Sequence, residues 1–389
     1  MNLDYTPEQQ AFRAEVRSWM QANVPPAPLP SFDLTREGFE AHREWERKLN
    51  DGRWGMVTWP QALGGRDLDL IRWLIFEEEY YRAGAPTRVN QNGIFLLGPT
   101  MMEFGTPEQK ARFLPRMAAG DDIWAQAWSE PGAGSDLAGV RATATRDGDE
   151  YVLNGQKTWS SRASFADWAF GLFREPGSER HNGMSLILFP LDAPGVTRRP
   201  IARMDGQLVF AEIFLDNVRV PVADRLGDEG QGWHVCMATA GFERGLMLRS
   251  PARYQVAARK LIALWQKHKD ALPASIGERV AQSWMDAEAY ALSIYATASR
   301  LVAGGRIGPE SSTNKIFWSE LDIALTQTAL DILGADAELV TDIPVDGEGV
   351  GGGPREDWLE DYIFALSGPI YAGSNEIQRN IIAERMLGL

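Results

Sequence analysis

Cysteine is almost missing from this chain. Cys236 is the single one in 389 residues, so no disulfide can form within it. A lone thiol without a Cys-x-x-Cys partner gives neither a redox pair nor a thiolate metal cage, and its ordinary fate is burial as a small apolar side chain. Histidine is also scarce. His42, His181, His234 and His268 stand at no metal-ligand spacing from one another, and no metal is assigned. Long apolar runs are lacking too: no stretch approaches the roughly 18 residues of a membrane-spanning helix. The opening Met-Asn-Leu-Asp-Tyr-Thr-Pro-Glu has neither a basic nor an apolar leader segment, so no secretory or transit peptide is expected and the chain reads as cytoplasmic. Positive charge is outweighed, with 39 Lys and Arg against 53 Asp and Glu, a net charge of −14. A field of that sign repels polyanions and excludes non-specific binding to nucleic acid or anionic membrane, while a local basic patch could still hold a phosphorylated ligand.

What is present is enough chain for two or three domains and a large core. Fourteen tryptophans offer flat apolar surface for a core or a planar ligand. Residues 1–121 read as helical. Thr6-Pro7-Glu8-Gln9 and Thr106-Pro107-Glu108-Gln109 are helix starts, each with a threonine cap, a first-turn proline and a glutamine that completes a capping box. Phe12, Val16, Trp19 and Met20 then share one helix face. The prolines at 25, 26, 28 and 30 end that helix, and helical periodicity returns over Arg36–Asp51 and Leu68–Ala83. Residues 122–230 read as a small β domain, a barrel or a sandwich. Glu150–Leu153, Asn154-Gly155 and Gln156–Trp159 give a strand–turn–strand signal, Ser185–Phe189 another strand, and Val209–Val220 a further one with a turn at Asp216-Asn217. Residues 231–389 return to helix, with a kink or restart expected at Pro251. Thr341–Pro354 reads as a glycine-rich, acidic loop. Its Gly347, Gly349 and Gly352 spell G-x-G-x-x-G, but no strand–turn–helix surrounds them and Glu348 would repel a phosphate, so no nucleotide site is assigned there.

Four segments carry the chemistry. Ala127-Trp128-Ser129-Glu130-Pro131-Gly132-Ala133-Gly134-Ser135-Asp136 packs hydroxyls and backbone-exposing glycines together, a composition that lets main-chain N–H groups wrap a flat polar ligand. Asn154-Gly155-Gln156-Lys157-Thr158-Trp159-Ser160-Ser161 sets an indole beside two hydroxyls. Gly241-Phe242-Glu243-Arg244-Gly245-Leu246-Met247-Leu248 places a carboxylate inside an apolar helical stretch, where burial raises its pKa and suits it to remove a weakly acidic C–H proton. A structural Glu–Arg network between helices is the alternative reading. Glu243 and Arg244 diverge by about 100° on a helix and do not pair face to face. The last segment is Ile370-Tyr371-Ala372-Gly373-Ser374-Asn375-Glu376-Ile377-Gln378-Arg379-Asn380.

Together these segments resemble the acyl-CoA dehydrogenase family over nearly the whole chain. The resemblance implies an α+β fold with an N-terminal helical domain, a central small β-barrel domain and a C-terminal four-helix bundle. It implies FAD as cofactor, held by Trp128, Ser129, Gly134, Ser135, Trp159, Ser160, Ser161, Ser374 and Glu376. Ser129 would hydrogen-bond the flavin ring, Trp159 pack against it, and Ser161 bond its reactive N5 edge. Trp128 replaces the family's usual aliphatic residue, and Ser161 its usual threonine. Substrate contacts would come from Ser135, Arg244, Tyr371 and Gly373. Many members carry the catalytic glutamate directly after the tyrosine of the last segment. Here that position is Ala372. A subset carries the base on the earlier long helix, and that position matches Glu243. By this resemblance Glu243 removes the α-proton of an acyl-CoA, the β-hydrogen leaves as hydride to the flavin, and the backbone N–H of Ala372 polarises the thioester carbonyl. A trans-2-enoyl-CoA results, and electrons pass to an electron-transfer protein.

Two departures matter. Arg162 stands where a small or amide residue is common, and it reads as a solvated arginine, with an anion or a partner chain as the alternative. The family's arginine and phenylalanine-glycine after the long helix have no counterpart in Leu264–Asp270. The resemblance implies a homo- or heterotetramer (or dimer); that triplet reaches a neighbouring subunit's flavin, so its absence weakens the cofactor's hold in a homo-oligomer, and the chain resembles the heterotetrameric actinobacterial steroid-degrading relatives in which one chain type completes the other's flavin site. A non-catalytic or half-site subunit is one alternative, and a flavin oxidase or monooxygenase on the same scaffold is another.

Overall fold

The computed structural model describes residues 4–204, 206–243, 250–305, 307–338 and 358–389, the side chains of Phe242 and Glu243 apart. Arg244, the rest of its segment to Arg249, and the loop Thr341–Pro354 lie outside the described residues. Helices α1 (Pro7–Asn23), α2 (Arg36–Asp51), α3 (Leu70–Arg82), α4 (Gly98–Phe104) and α5 (Pro107–Ala118) come first. Strands β1 (Trp124–Ala127), β2 (Thr143–Asp147), β3 (Glu150–Ser161), β4 (Trp168–Arg174), β5 (Met184–Pro190), β6 (Val196–Ile201), β7 (Phe210–Pro221) and β8 (Arg225–Leu226) follow. Helices α6 (Gly232–Glu243), α7 (Pro251–His268), α8 (Ala274–Val302), α9 (Ser311–Leu333), α10 (Trp358–Ala365) and α11 (Asn375–Ile382) complete the order. The chain is thus helical, then β, then helical.

Two compact units divide it. One gathers Met1–Pro28, Asp69–Ala85 and Arg244–Leu389, the other Leu29–Leu68 and Pro86–Glu243. In the first, α1 packs on α3, α3 on α7 and α8, and α7, α8 and α9 on one another, with α10 and α11 against α9. Thr6 caps α1 through a full capping box, and Phe12, Val16 and Met20 are its buried face. Pro251 opens α7, where its missing N–H costs nothing, and Ser250 caps that start.

The second unit is built on one eight-stranded sheet in the order β6-β7-β3-β2-β4-β5-β8, with β1 paired to β4. β1 runs parallel to β4 from Trp124↔Trp168 to Ala127↔Gly171, and β2 meets the same strand at Thr143↔Arg174. β1 and β2 therefore lie end to end along β4, and residues 128–142 loop out between them. A core of Phe39, Ile123, Tyr151, Leu153, Phe173, Ile187, Phe189, Ile213 and Val218, among others, fills this unit.

Two expected turns are not turns. β3 runs unbroken through Asn154-Gly155, and β7 through Asp216-Asn217. The register slips there, from Leu153↔Val218 to Gly155↔Leu215, so the two sites oppose each other in a bulge. Asn154 Oδ1 accepts from the Asn217 N–H at 2.9 Å, and Asn217 holds φ 51°. Gly155 sits at φ 136°, and a Cβ there would meet the Ala142 Cβ at 2.6 Å. The residues that favour tight turns also favour bulges, because both need backbone at positive φ. The β2–β3 hairpin turns instead at Gly148, φ 64°.

Candidate active site

A second slip in the β3–β7 pairing, between Lys157 and Ser160, sets Trp159 at φ 57°. A bulge re-aims side chains, and here it leaves the Trp159 indole 60% exposed while Thr158 and Ser160 turn inward and are buried. Phe210 meets the indole edge-on, ring centres 5.9 Å apart. Ser161 follows, half-buried, and its carbonyl accepts from Asn92 Nδ2 at 3.5 Å. Asn92 opens a π-helical turn, Asn92–Leu97, and was not visible as a contact in the sequence.

The loop leaving β1 lies against this strand. The Thr158 N–H donates to the Ser129 carbonyl at 2.9 Å, and Glu130 and Ala133 exchange backbone hydrogen bonds at 3.0 Å, closing a tight turn around Pro131 and Gly132. Trp128 is buried against Phe170, with its Nε1 unpartnered, and Ser129 is half-buried. Gly134 and Ser135 are exposed, and a Cβ at Gly132 or Gly134 would meet nothing within 4 Å. Among the described residues Ser160 Oγ is likewise buried without a partner. Among the described residues no hydrogen bond uses the hydroxyls of Ser129, Ser135 or Ser161.

Lys157 joins the two halves, and sequence reasoning passed over it. It is fully buried, and its Nζ donates to Glu130 Oε1 at 2.8 Å and to the carbonyls of Trp128 and Leu172 at 3.3 and 2.5 Å. Three acceptors match the three ammonium protons. Glu130 also accepts the N–H groups of Arg141 and Ala142, at 2.6 and 2.9 Å. Burial pushes the Lys157 pKa down from the usual lysine value, against the pull of the Glu130 carboxylate. The only signal available was the position of a lysine between inward-facing residues of a strand.

Arg162 is not a solvated arginine. It holds φ 70°, pairs with Asp33 at 3.3 Å with both side chains largely buried, and lies over the Phe32 ring at 4.2 Å. Cys236 is buried, as a lone thiol should be.

In the helical unit, Tyr371 packs half-buried between Trp318 and Phe364. Ala372 and Gly373 follow at φ 56° and 76°. A left-handed alanine costs about 1–2 kcal/mol, and such residues persist where the surroundings over-determine them. The surroundings here are a buried lysine and amide. Lys315 Nζ donates to the Gly368 carbonyl and to Asn375 Oδ1, both at 2.8 Å, and the Asn375 N–H returns to the Pro369 carbonyl at 2.8 Å. Gln378 Nε2 donates to the carbonyls of Ala372 and Gly373. The Ala372 N–H has no acceptor among the described residues. Ser374 caps α11 by accepting from the Ile377 N–H, and Glu376 is exposed in that helix's first turn. Backbone N–H and the Ser374 hydroxyl hold the Glu376 pKa below the usual glutamate value. The backbone of Glu243 is the last residue of α6.

Three domains of one family match the chain in order: the acyl-CoA dehydrogenase N-terminal domain over residues 6–121, the middle domain over 125–218 and the C-terminal domain over 230–387. Acyl-CoA dehydrogenase IpdE1 of Mycobacterium tuberculosis is 40% identical, covering 98% of this chain and 97% of its own. The chain belongs to the acyl-CoA dehydrogenase family. Acyl-CoA dehydrogenase FadE26 of the same organism is 34% identical over 100% of this chain and 99% of its own. Among solved structures, the Tcur3481-Tcur3483 steroid ACAD superposes with TM-score 0.87 at 27% identity, covering 100% of this chain and 99% of that one. The ChsE4-ChsE5 complex from M. tuberculosis does so with TM-score 0.84 at 32% identity, covering 100% and 99%. The protein is an oxidoreductase of the class acting on CH–CH bonds.

The residues of the sheet unit fit a flavin, the cofactor typical of this family. An exposed flat indole stands beside hydroxyls that, among the described residues, no hydrogen bond uses, the Cβ positions of Gly132 and Gly134 meet nothing within 4 Å, and two buried polar atoms, Trp128 Nε1 and Ser160 Oγ, have no partner among the described residues. Among the described residues no helix is long and apolar enough to cross a membrane.

Proposed function

We propose that this protein is an FAD-dependent dehydrogenase that converts an acyl-CoA to its trans-2-enoyl-CoA in the cytoplasm, with Glu243 as the base. The observation that carries this reading is Ala372. It offers no proton-accepting side chain, yet it is held at a costly φ of 56°, and its N–H has no acceptor among the described residues. A backbone donor kept at that expense suits the stabilisation of charge developing on a thioester carbonyl. The base must then come from elsewhere, and Glu243, the last residue of an apolar helix, is the candidate. Burial would raise its pKa toward neutrality and match it to an α-proton.

FAD, when bound, supplies the oxidant that accepts the β-hydrogen with its electron pair. Trp159 would give the ring a flat apolar support, and the hydroxyls of Ser129 and Ser161 would bond its polar edges, with Trp128, Gly134, Ser135, Ser160, Ser374 and Glu376 completing the contacts. Ser135, Arg244, Tyr371 and Gly373 would hold the thioester. An electron-transfer protein would reoxidise the enzyme. A bulky acyl group suits the space left by alanine at 372, and one similar structure is a steroid ACAD.

Leu264–Asp270 favours a second element of the reading. It spans the end of α7 with no arginine or Phe-Gly, so a partner chain would complete the cofactor site in a hetero-oligomer. The ChsE4-ChsE5 complex is an assembly of two named chains.

The test is Glu243→Gln. The purified variant should keep its yellow colour, with flavin per chain unchanged, while anaerobic bleaching by acyl-CoA slows by at least about 10²-fold, the usual contribution of a positioned base. Unchanged bleaching would remove Glu243 from the mechanism.

A further inference from the structure

Ser161 ends β3 with a left-handed residue on either side: Trp159 two positions before it and Arg162 directly after it, at φ 57° and 70°. The fold holds Arg162 at both ends. Its N–H donates to the Val209 carbonyl at 3.3 Å, and its carbonyl accepts from the Phe165 and Ala166 N–H groups at 3.0 and 2.9 Å. Its guanidinium lies over the Phe32 ring at 4.2 Å, and Nη1 meets both oxygens of Asp33, at 3.3 and 3.4 Å. Asp33 stands in the segment before α2, within the same sheet unit. That segment is pinned in turn. The Asp33 N–H donates to Ser31 Oγ at 3.3 Å, and Ser31 Oγ donates to Gln207 Oε1 at 2.7 Å, between β6 and β7. Each side chain of the pair is only 13% exposed. Burial pushes the Asp33 carboxyl above the usual aspartate value, despite the pull of Arg162, Arg203 and His42. Charge in such a place is poorly screened by solvent and salt.

A cation and an anion thus occupy fixed places beside a hydroxyl assigned to the flavin's reactive edge. Adjacent Cα atoms are about 3.8 Å apart and an extended arginine reaches about 7 Å, so the guanidinium lies within about 11 Å of the Ser161 Cα. A small or amide residue at 162, which the resemblance gives as common in the family, would carry no charge to pair.

We propose that Arg162 and Asp33 form a charge pair that sets the reduction potential of the bound flavin, an assignment that rests on the FAD reading. They touch no reacting atom and act through their field. The hydride that the proposed reaction delivers brings one negative charge to the ring. A nearby cation favours its arrival and a nearby anion opposes it. Side by side the two nearly cancel, and either one alone does not. A unit charge about 10 Å away, at an effective dielectric constant of about 20, shifts such an equilibrium by about tenfold. Tenfold corresponds to ~30 mV for a two-electron couple.

The experiment is a redox titration of the purified flavoprotein with dithionite and a reference dye, at about pH 8 to keep the carboxylate ionised. No acyl-CoA is needed. Asp33→Asn leaves the cation alone and should raise the flavin potential. Arg162→Gln leaves the anion alone and should lower it. Each should change the ratio of reduced to oxidised flavin by about tenfold at the wild-type midpoint. Arg162→Lys keeps the charge and should stay near the wild type. A role in shape alone weakens both redox forms equally and leaves the potential where it was. Shifts of the same sign, unmoved potentials, or loss of flavin from Arg162→Lys as well as Arg162→Gln would each overturn the proposal. If Arg162→Gln alone sheds its flavin, Asp33→Asn decides, and a potential at or below the wild-type value overturns the pair. A colourless wild-type protein sinks the FAD reading and the pair's role with it, whereas a yellow one with unmoved potentials sinks the pair alone.

Discussion

Trp159, Arg162 and Ala372 hold φ of 57°, 70° and 56° without being glycine. Each costs on the order of 1 kcal/mol; Trp159 and Ala372 stand in segments assigned to the site, and Arg162 directly follows one of them. For Arg162 the expense is offset by Asp33 and by the Phe32 ring, whose other neighbour is His42 at 4.9 Å. His42 Nδ1 lies 2.8 Å from the Thr87 carbonyl, and burial, aided by the Arg162 charge, holds its pKa below the ordinary 6.5 despite hydrogen bonds to the Thr87 and Pro30 carbonyls. A depressed folded-state pKa means that the unfolded chain binds more protons between the two values, so stability is full above the ordinary histidine range and is lost as pH falls through the folded value. Urea midpoints of the wild-type protein should therefore drop from about pH 7 toward about pH 5. His42→Asn keeps a donor for Thr87 but has no proton to gain. Its midpoints should fall less steeply over the same window, and parallel curves for the two proteins would place the effect elsewhere.

At the scale of elements, strand β3 carries the site. Its bulges aim Trp159 outward, and Lys157 binds it to the loop leaving β1 and to β4. Removing one partner of a buried charge pair costs about 3–5 kcal/mol, because the other charge is left without compensation. Lys157→Met should accordingly lower unfolding stability by about that much and release flavin, since Ser129 lies between the two groups, Trp128 and Glu130, that the ammonium holds. Adding Glu130→Gln removes the stranded charge and should recover part of the loss in urea titrations. A single variant as stable and as yellow as the wild type would make the pair dispensable. Several helices were legible in sequence. Capping boxes at Thr6 and Thr106 and the periodicity of Arg36–Asp51 mark real helices, because caps and amphipathic spacing are local physics. The bulge at Asn154-Gly155 was read as a turn, since the chemistry of positive φ is the same in both and only the partner strand decides. Lys157 was passed over, and Arg162 misread as solvated, for a related reason. A charged residue is read as solvated unless its partner is known, and their partners lie 27 and 129 residues away.

For the whole molecule, the open question is whether one chain completes its own cofactor site. α8 exposes Trp284, Met285 and Leu292 at 46%, 50% and 45%, and α9 exposes Phe317 at 38%, stacked on Tyr290. Large apolar groups exposed together mark surfaces that another protein covers. The end of α7 has no arginine and no Phe-Gly, the residues by which the family resemblance would have one copy reach its neighbour's flavin. These two features separate assembly from cofactor binding. The purified chain should scatter light as more than a monomer, and Trp284→Glu with Leu292→Glu should reduce that mass, because two carboxylates cannot be buried in an apolar interface without several kcal/mol of cost. The flavin ratio of the same preparation then discriminates. If a second copy of this chain completes the site, flavin per chain falls together with the mass, although both substitutions lie in the helical unit and Trp159 in the sheet unit. If the monomeric variant keeps about one flavin per chain and still bleaches with acyl-CoA, the site is whole within one chain, and the missing triplet is a loss the protein has absorbed.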